Sequence, residues 1–456
     1  MSSYQHHREG SSANSAHSQQ ERRSLSPNEF KNARDSLAVD DSRLEVPDEP
    51  LPSFPEGGPQ AVRTIIGAFL VLFVQFGIMN SFGVFEAQYK SVNLRSKSSS
   101  DIAWIGTCQF FVFFFSGAFV GRFFDSFGAQ FLLFPGAVIL RKAFSSELGA
   151  HWHFSAPALS SITHWYEQKR GRMMGLVTAG SSLGGVVFPI ALNKLIPAVG
   201  FPLALRIVAS ICAAILLPAS FLIRTRLPRR PFNRDLGSLV DVGGFKDFKY
   251  TLFLVASAIT MLGSYNPYYF VTVYSETHHF SPNISLYSLA ILNAGSFFGR
   301  LIPGILADKL GFFNILSIAL TIAGPILFSW TAVSSQGPFV VWMVFYGFFS
   351  GAFIALMPAC VGKFTPDPSK YGGRAGMLFA FVGTAVLVSG SYHPRTFFVL
   401  SRSSKCGPPI AGALIERAHG SFDDMIVYSG VMCLAGAVLY WTARFKSTGG
   451  KLLVKF

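Results

Sequence analysis

The sequence is short of charged residues, closely spaced cysteines and nucleotide-binding loops. Only 14% of its 456 residues are Asp, Glu, Lys or Arg, whereas about a quarter of an average soluble domain is charged. This shortage excludes an ordinary soluble enzyme. Its five cysteines are widely separated, which excludes a disulfide framework and a zinc site of clustered thiols. No Gly-x-x-x-x-Gly-Lys-Ser/Thr loop occurs, so a nucleotide-driven mechanism is not indicated.

Apolar residues are abundant instead. Half of the chain is hydrophobic, with 47 Phe, and the net charge is +14. The Lys and Arg residues stand between long apolar runs, whereas a nucleic-acid-binding surface gathers them on one solvated face. Basic loops between apolar runs are typical of a multispanning membrane protein. We therefore expect a lipid bilayer as a partner, and no nucleic acid, metal or cofactor.

Nine stretches are long enough to cross about 30 Å of hydrocarbon as helices, which takes roughly 20 residues each. Two irregular regions, 131–165 and 375–416, contain further apolar pieces, and two spans in the first and one in the second would make twelve. The nine predicted spans are Ala61–Tyr89, Asp101–Phe124, Gly171–Val199, Phe201–Ile223, Tyr250–Tyr274, Ser285–Ala307, Phe313–Val333, Phe339–Val361 and Phe422–Ala443.

A basic stretch, Arg224–Lys249, divides the spans into two groups and carries seven Lys/Arg. With an even number of helices before it, it lies on the same side as the amino-terminal tail, and its charge predicts that this side is cytoplasmic. The predicted segments are a disordered cytoplasmic tail (1–55), a helical bundle (56–223), a cytoplasmic linker (224–249), a second helical bundle (250–445) and a cytoplasmic tail (446–456).

A loop motif occurs once in each group. Gly121-x-x-x-Asp125-x-x-Gly128 follows the second span of the first group, and Gly304-x-x-x-Asp308-x-x-Gly311 recurs at the same place in the second group, 183 residues later. Duplication of a helical unit, with the substrate path between the halves, is a known transporter architecture. The repeat predicts an all-α membrane protein built from two six-helix bundles.

These residues resemble the major facilitator superfamily, whose loop between helices 2 and 3 carries this motif. Further matches resemble the fungal monocarboxylate transporter-like branch, and the likeness runs from about Glu56 to Ala443. They are Glu56-Gly57-Gly58, Trp165-Tyr166 through Lys169-Arg170-Gly171 to Ala179–Gly185, and Asn293–Ser296 with Gly299-Arg300 and Pro303-Gly304. The resemblance implies a major facilitator fold that works by alternating access, and no enzyme.

The sequence departs from proton-linked members of that branch at two positions. Such members pair a helix 8 Arg with an Asp one turn earlier and use a Lys in helix 1. Alignment of the motifs places Arg300 at the Arg, Ser296 at the Asp and Asn80 at the Lys. The resemblance therefore supports the fold and leaves proton coupling open.

Arg300 is the strongest candidate for binding substrate. It lies inside an apolar span, where a charge is costly unless it faces a wet cavity or a partner. A guanidinium suits a carboxylate because it donates two parallel hydrogen bonds; the alternative is a structural pair or snorkelling to the surface. The other candidate binding residues are Asn80, Gln75, Asn293 and Ser296, whose amides and hydroxyl alternatively join neighbouring helices.

The repeated motif supplies the candidate gate. A carboxylate at a helix end can bind a helix amino terminus or a loop Arg in one conformation and release it in another. The predicted gating residues are Gly121, Arg122, Asp125 and Gly128 in the first half, and Gly304, Asp308 and Gly311 in the second. A plain surface salt bridge is the alternative.

Two regions have the wrong length for the expected helices. Residues 131–165 are too few for two crossings and a turn, so the helix 3/4 region is expected to be truncated. Residues 388–405 are polar and separate Ala375–Leu387 from Cys406–Ile415, which would otherwise form one span, helix 11. This interruption has the features of a translated intron, and a mature transcript that contains both regions as written would contradict a faulty gene model.

The composition and motifs together predict a secondary transporter of a small organic anion. The alternatives are a non-transporting sensor and the inactive product of a faulty gene model. We expect a multi-pass protein of the plasma membrane rather than of an organelle. Substrate identity and direction are not specified by the sequence.

Overall fold

The described part of the chain is a series of α-helices. The computed structural model describes residues 54–89, 92, 95–96, 99–128, 130–131, 155–226, 242–365, 370–390, 410–451 and 454–455. The helices are α1 Pro59–Asn80, α2 Phe82–Gln88, α3 Ser99–Phe115, α4 Gly117–Phe127, α5 Ser155–Ile162, α6 Arg170–Val199, α7 Phe201–Leu222, α8 Phe248–Ser264, α9 Asn266–Thr277, α10 Pro282–Leu310, α11 Phe312–Ser329, α12 Gln336–Val361, α13 Tyr371–Gly390, α14 Ile410–Arg417 and α15 Asp423–Thr448.

Within these residues, eight helices are long and apolar enough to cross a membrane. Seven of them coincide with predicted spans, and the eighth lies in the irregular region 375–416. They are Pro59–Phe85, Arg170–Val199, Phe201–Leu222, Pro282–Leu310, Phe312–Ala332, Gln336–Val361, Tyr371–Val388 and Asp423–Thr448.

The other two predicted spans are each divided into two helices, so the prediction of one continuous helix was wrong there. Asp101–Phe124 is divided at Ser116. Tyr250–Tyr274 is divided at Tyr265 because Pro267 lacks the N–H that would continue the helical ladder. A side chain from α12 forms a hydrogen bond with a backbone carbonyl near this break: the Tyr346 hydroxyl donates to Ser264 O at 2.6 Å.

The two irregular regions are described in part. Helix α5 lies where the last part of helix 4 was predicted, and residues 132–154 lie outside the described residues. Helix α13 runs from Tyr371 to Gly390, longer at both ends than the predicted Ala375–Leu387. Helix α13 thus includes 388–390, the first three residues of the predicted interruption 388–405, and residues 391–409 lie outside the described part.

Helix α6 is central to the packing. It packs against α1 within the first half of the chain and against α10 of the second half. The contact with α10 depends on small residues: a Cβ added to Gly171 would lie 2.8 Å from the carbonyl oxygen of Gly304. Backbones can approach this closely only where side chains are absent. Helices α3 and α4 pack against α13, which makes a second contact between the halves.

Candidate functional site

Arg300 of α10 bridges the two halves of the chain. Its side chain is only 3% exposed. Its Nη1 donates to the Thr178 carbonyl of α6 at 2.5 Å and makes a close hydrogen bond to the Ser181 hydroxyl. Within the described part of the chain, its Nε has no hydrogen-bond partner. A buried guanidinium with a spare donor is suited to an anion.

A cavity of about 30 Å³ lies beside this bridge, between the two halves. Its lining includes Thr178 and Ser181, the residues that accept from Arg300. Most of the remaining lining is apolar and aromatic, contributed by both halves. The aromatic residues are Phe76, Phe113 and Phe114 from the first half and Tyr265 and Phe379 from the second.

Two of the remaining predicted binding residues, Asn80 and Asn293, lie together next to α6. Asn80 and Asn293 come from different halves and meet at Gly185, where an added Cβ would lie 2.6 Å from Asn80 Nδ2 and 2.9 Å from Asn293 Oδ1. Asn293 also donates to its own helix, at Leu289 O. The two amides therefore face the same point of α6.

Ser296 and Gln75 are both buried. The Ser296 hydroxyl lies 3.5 Å from the hydroxyl of Tyr268, which lies 3.0 Å from the hydroxyl of Ser350. Ser296 therefore faces α9 and α12 rather than α6. Gln75 lies on α1, more than one turn before Asn80.

Thr178, Ser181, Tyr265 and Tyr268 belong to this region and were missed by the sequence analysis. Thr178 contributes a backbone carbonyl, which no side-chain pattern marks. Tyr265 and Tyr268 lie within Tyr250–Tyr274, which was predicted as one continuous span, so nothing marked them as part of a site. Asn266-Pro267 was the available signal, because proline inside an apolar run marks a break.

Asp308 binds the start of α6 from the other half of the chain. Its Oδ1 accepts from the Gly171 N–H at 2.7 Å and its Oδ2 from the Arg172 N–H at 3.1 Å. The Arg172 guanidinium lies 3.9 Å from Oδ2. A carboxylate at a helix amino terminus satisfies free N–H groups and the helix dipole. This contact ties the halves together at one end of the bundle, which we call the linker end because residues 223–226 lie there.

The structure describes the contacts or backbone of some of the remaining gating residues and only the helical position of the others. Gly128 and Gly311 end α4 and α10 with φ of 81° and 99°, a left-handed region that glycine adopts readily. Gly304 packs against Gly171. Gly121, Arg122 and Asp125 lie within α4, but the surroundings of these three residues are outside the described part. The predicted pair of Arg122 and Asp125 stays a prediction.

Glu56 holds the loop just before α6. Its Oε1 accepts from the N–H groups of Glu167 and Gln168, both at 2.6 Å, and its Oε2 accepts from Lys169 N–H at 3.1 Å. The Glu56 N–H donates to Trp165 O. The motif before the first span thus contacts the motif before α6 directly.

Arg170 extends this contact to α12. Its guanidinium is placed where a Cβ on Gly362, at the end of α12, would collide with it. A cation is favourable at a helix carboxyl terminus, where carbonyl groups lack partners. Tyr371 donates to Pro358 O of the same helix at 2.6 Å. The linker end therefore has contacts from α6 to both α10 and α12.

We expect the Glu56→Ala variant to be less stable by about 1–2 kcal/mol, because three N–H groups lose their acceptor. The measurement is the melting temperature of the purified protein in detergent. Glu167→Ala is the matched control, since that side chain is exposed. Equal melting temperatures for the two variants would show that the Glu56 carboxylate contributes nothing.

His164, in the turn after α5, is buried next to the ring of Phe124 and accepts from the Arg226 N–H at 3.3 Å. Burial, and then the charge of Arg226, lower the pKa of His164 from 6.5 to about 4. The folded chain therefore favours the neutral imidazole. This contribution to stability is complete above about pH 6.5 and is lost as the pH falls from 6.5 to about 4.

His164→Gln should accordingly reduce the fall in melting temperature between pH 7.5 and pH 5. The comparison is the change in melting temperature across that interval for the variant and the parent chain. His279→Gln, at an exposed position, is the control and should leave the fall unchanged. An equal fall in parent and His164→Gln would contradict the assignment to His164.

The comparisons with known proteins agree with this architecture. The family model described as Major Facilitator Superfamily matches residues 152–394. An aspyridones efflux protein of Emericella nidulans is 34% identical over 415 residues, which cover 87% of this chain and 80% of that protein. The chain belongs to the Major Facilitator Superfamily. A further relative, the MFS transporter asaE of Aspergillus flavus, is 31% identical over 453 residues. The aligned region covers 95% of this chain and 98% of that protein.

Solved structures show the same fold at low sequence identity. The human organic anion transporter MFSD10 has a TM-score of 0.63 at 13% identity, over 84% of this chain and all of that chain. A bacterial homologue of the iron transporter ferroportin has a TM-score of 0.60 at 14% identity, over 84% and 99%. The predicted all-α major facilitator fold is confirmed.

Membership establishes a multi-pass membrane transporter, and family members move small molecules. The narrower resemblance to monocarboxylate transporters is not supported by these relatives, one of which is named for aspyridone efflux and another only as an MFS transporter. Two of the motifs that suggested that branch, Glu56-Gly57-Gly58 and the one that begins at Trp165, contact each other at the linker end.

Proposed function

We propose that the chain is a secondary transporter of a small organic anion, with Arg300 as the residue that binds the anion. The observation that carries this proposal is the position of the guanidinium. It is buried between the two halves, next to a cavity that both halves line, and its Nε is free of partners in the described part of the chain.

Substrate binding at this point would affect the contact between the halves. In the structure, Arg300 donates to Thr178 and Ser181 of α6. An anion that accepts from the same guanidinium competes with these two acceptors. Binding would then weaken one tie between α6 and α10, which is the coupling that alternating access requires.

The contacts of Asp308 and Glu56 are proposed to close the linker end when the path opens at the other end. Glu56 holds α6 within the first half, whereas Asp308 holds it to the second half. Only the second contact has to break for the halves to separate. Asp308, Gly304 and Gly311 are therefore the proposed gate, with Gly121, Arg122, Asp125 and Gly128 as its counterpart.

Export from the cytoplasm across the plasma membrane is the proposed direction. It is supported by the name of the Emericella nidulans relative, an efflux protein. The basic residues of the linker support a cytoplasmic location for the linker end. Asn80, Gln75, Asn293 and Ser296 do not titrate near neutral pH, so none of these four side chains carries a coupled proton in this proposal.

Transport by purified protein in proteoliposomes tests the proposal. The probes are radiolabelled benzoate and lactate at pH 8, where both acids are ionised, with and without a pH gradient. We expect saturable benzoate uptake above that of protein-free liposomes. A chain that binds no acid and moves none would instead fit the sensor or the inactive gene product.

A further inference from the structure

The cavity between the halves is lined by aromatic rings that contact one another. The ring centroids of Phe76 and Phe113 are 5.2 Å apart, and those of Phe113 and Phe114 are 4.8 Å apart, both nearly perpendicular. Phe114 lies 6.0 Å from Phe379, across the boundary between the halves, with the two rings tilted by 31°. Aromatic pairs at these separations are favourable beyond the burial of apolar area.

A second chain of rings crosses the same boundary. Tyr265, at the break between α8 and α9, lies 5.9 Å from Phe110 of α3 and is stacked on Tyr268 at 5.2 Å. Tyr265 and Phe110 are nearly perpendicular, at 70°. The halves are therefore in contact through ring edges and faces at two places beside the cavity.

Hydrogen-bonding groups of the lining are few. Thr178 and Ser181 both accept from Arg300, and the other lining residues are apolar except for Tyr265. The site thus has one cationic pole and an aromatic body. The space of about 30 Å³ holds no organic molecule, so a substrate enters only by parting these rings.

We infer that the site selects an aromatic or planar conjugated acid, whose anionic oxygens bind Arg300 while its ring replaces the contacts that Phe114 and Tyr265 make across the boundary. This inference rests on the proposed function and specifies its substrate class. A planar ring can restore aromatic contacts when the halves separate, whereas a saturated body of the same carbon skeleton restores only apolar contact. A short aliphatic acid such as lactate restores neither.

The test compares two acids that share a carbon skeleton, 2-naphthoate and decahydro-2-naphthoate. Their dissociation constants are measured on the purified full chain in nanodiscs at pH 8. We expect 2-naphthoate to bind at least 10-fold more tightly, and Tyr265→Leu to remove most of that ratio while Tyr265→Phe keeps it. Phe298→Leu is the control, because Phe298 is 56% exposed on α10.

The ratio of the two constants is measured within one preparation, so partial misfolding of a variant does not change it. Equal binding of both acids, or a Tyr265→Leu variant that weakens both alike, overturns the aromatic class. If both acids bind equally but require Arg300, anion binding stands and only the aromatic class fails. If neither acid binds, or Arg300→Ala leaves both constants unchanged, the anion-binding role of Arg300 fails as well.

Discussion

Arg300→Ala should lose about 100-fold of the transport rate for an organic anion at subsaturating concentration. The lost interaction is a pair of charge-assisted hydrogen bonds in a buried site, each worth about 1.5–3 kcal/mol, and each 1.4 kcal/mol is a factor of ten. Arg300→Lys should recover part of the rate, because it keeps the charge but not the two parallel donors. The measurement is uptake of radiolabelled benzoate into proteoliposomes.

Arg206→Ala is the matched control for this prediction. Arg206 is also an arginine within a membrane-spanning helix, but it is exposed on α7. Its removal should leave uptake within about twofold. Normal uptake by Arg300→Ala would leave the guanidinium with a purely structural role, that of tying α10 to α6.

The second large effect is expected at Gly171, where α6 packs against α10 at the linker end. A side chain here has no room: an added Cβ would lie 2.7 Å from the Phe312 ring and 2.8 Å from both Asp308 Oδ1 and Gly304 O. Gly171→Val should keep the linker end from closing. Transport should then fall at least 10-fold, because the path cannot open fully to the other side.

Hydrogen exchange locates the cause of that loss. In Gly171→Val, the amides of Gly171 and Arg172 should exchange faster, since they lose their acceptor on Asp308. Gly337→Val is the control, because an added Cβ there meets nothing within 4 Å. A slow-exchanging linker end together with full transport in Gly171→Val would show that this contact is not a gate.

Local sequence signals predicted the helices well and their interruptions poorly. Runs such as Phe201–Ile223 specify a span by length and composition alone, and the structure has a helix there. The division at Tyr265 depends on Pro267 and also on Tyr346, which lies 81 residues further along the chain and donates to Ser264 O. Such a partner becomes visible only when the helices are packed.

The candidate site shows the same division between local and distant information. Arg300 was identifiable because a charge inside an apolar run is unusual. Its acceptors, a carbonyl and a hydroxyl more than 110 residues earlier, have no local signature. Glu56 was recognised as part of a motif, but its three N–H partners at 167–169 follow only from the fold.

The glycines of α6 lie on two surfaces of the helix, each of which packs against a different half of the chain. Gly180 and Gly184 receive Phe69 and Phe73 of α1, in the same half, whereas Gly171 and Gly175 receive Gly304 and Arg300 of α10, in the other half. Bulky substitutions on the first surface should therefore reduce how much protein reaches the membrane. Those on the second should give normal amounts of a carrier that turns over slowly, so one helix can separate defects of assembly from defects of motion.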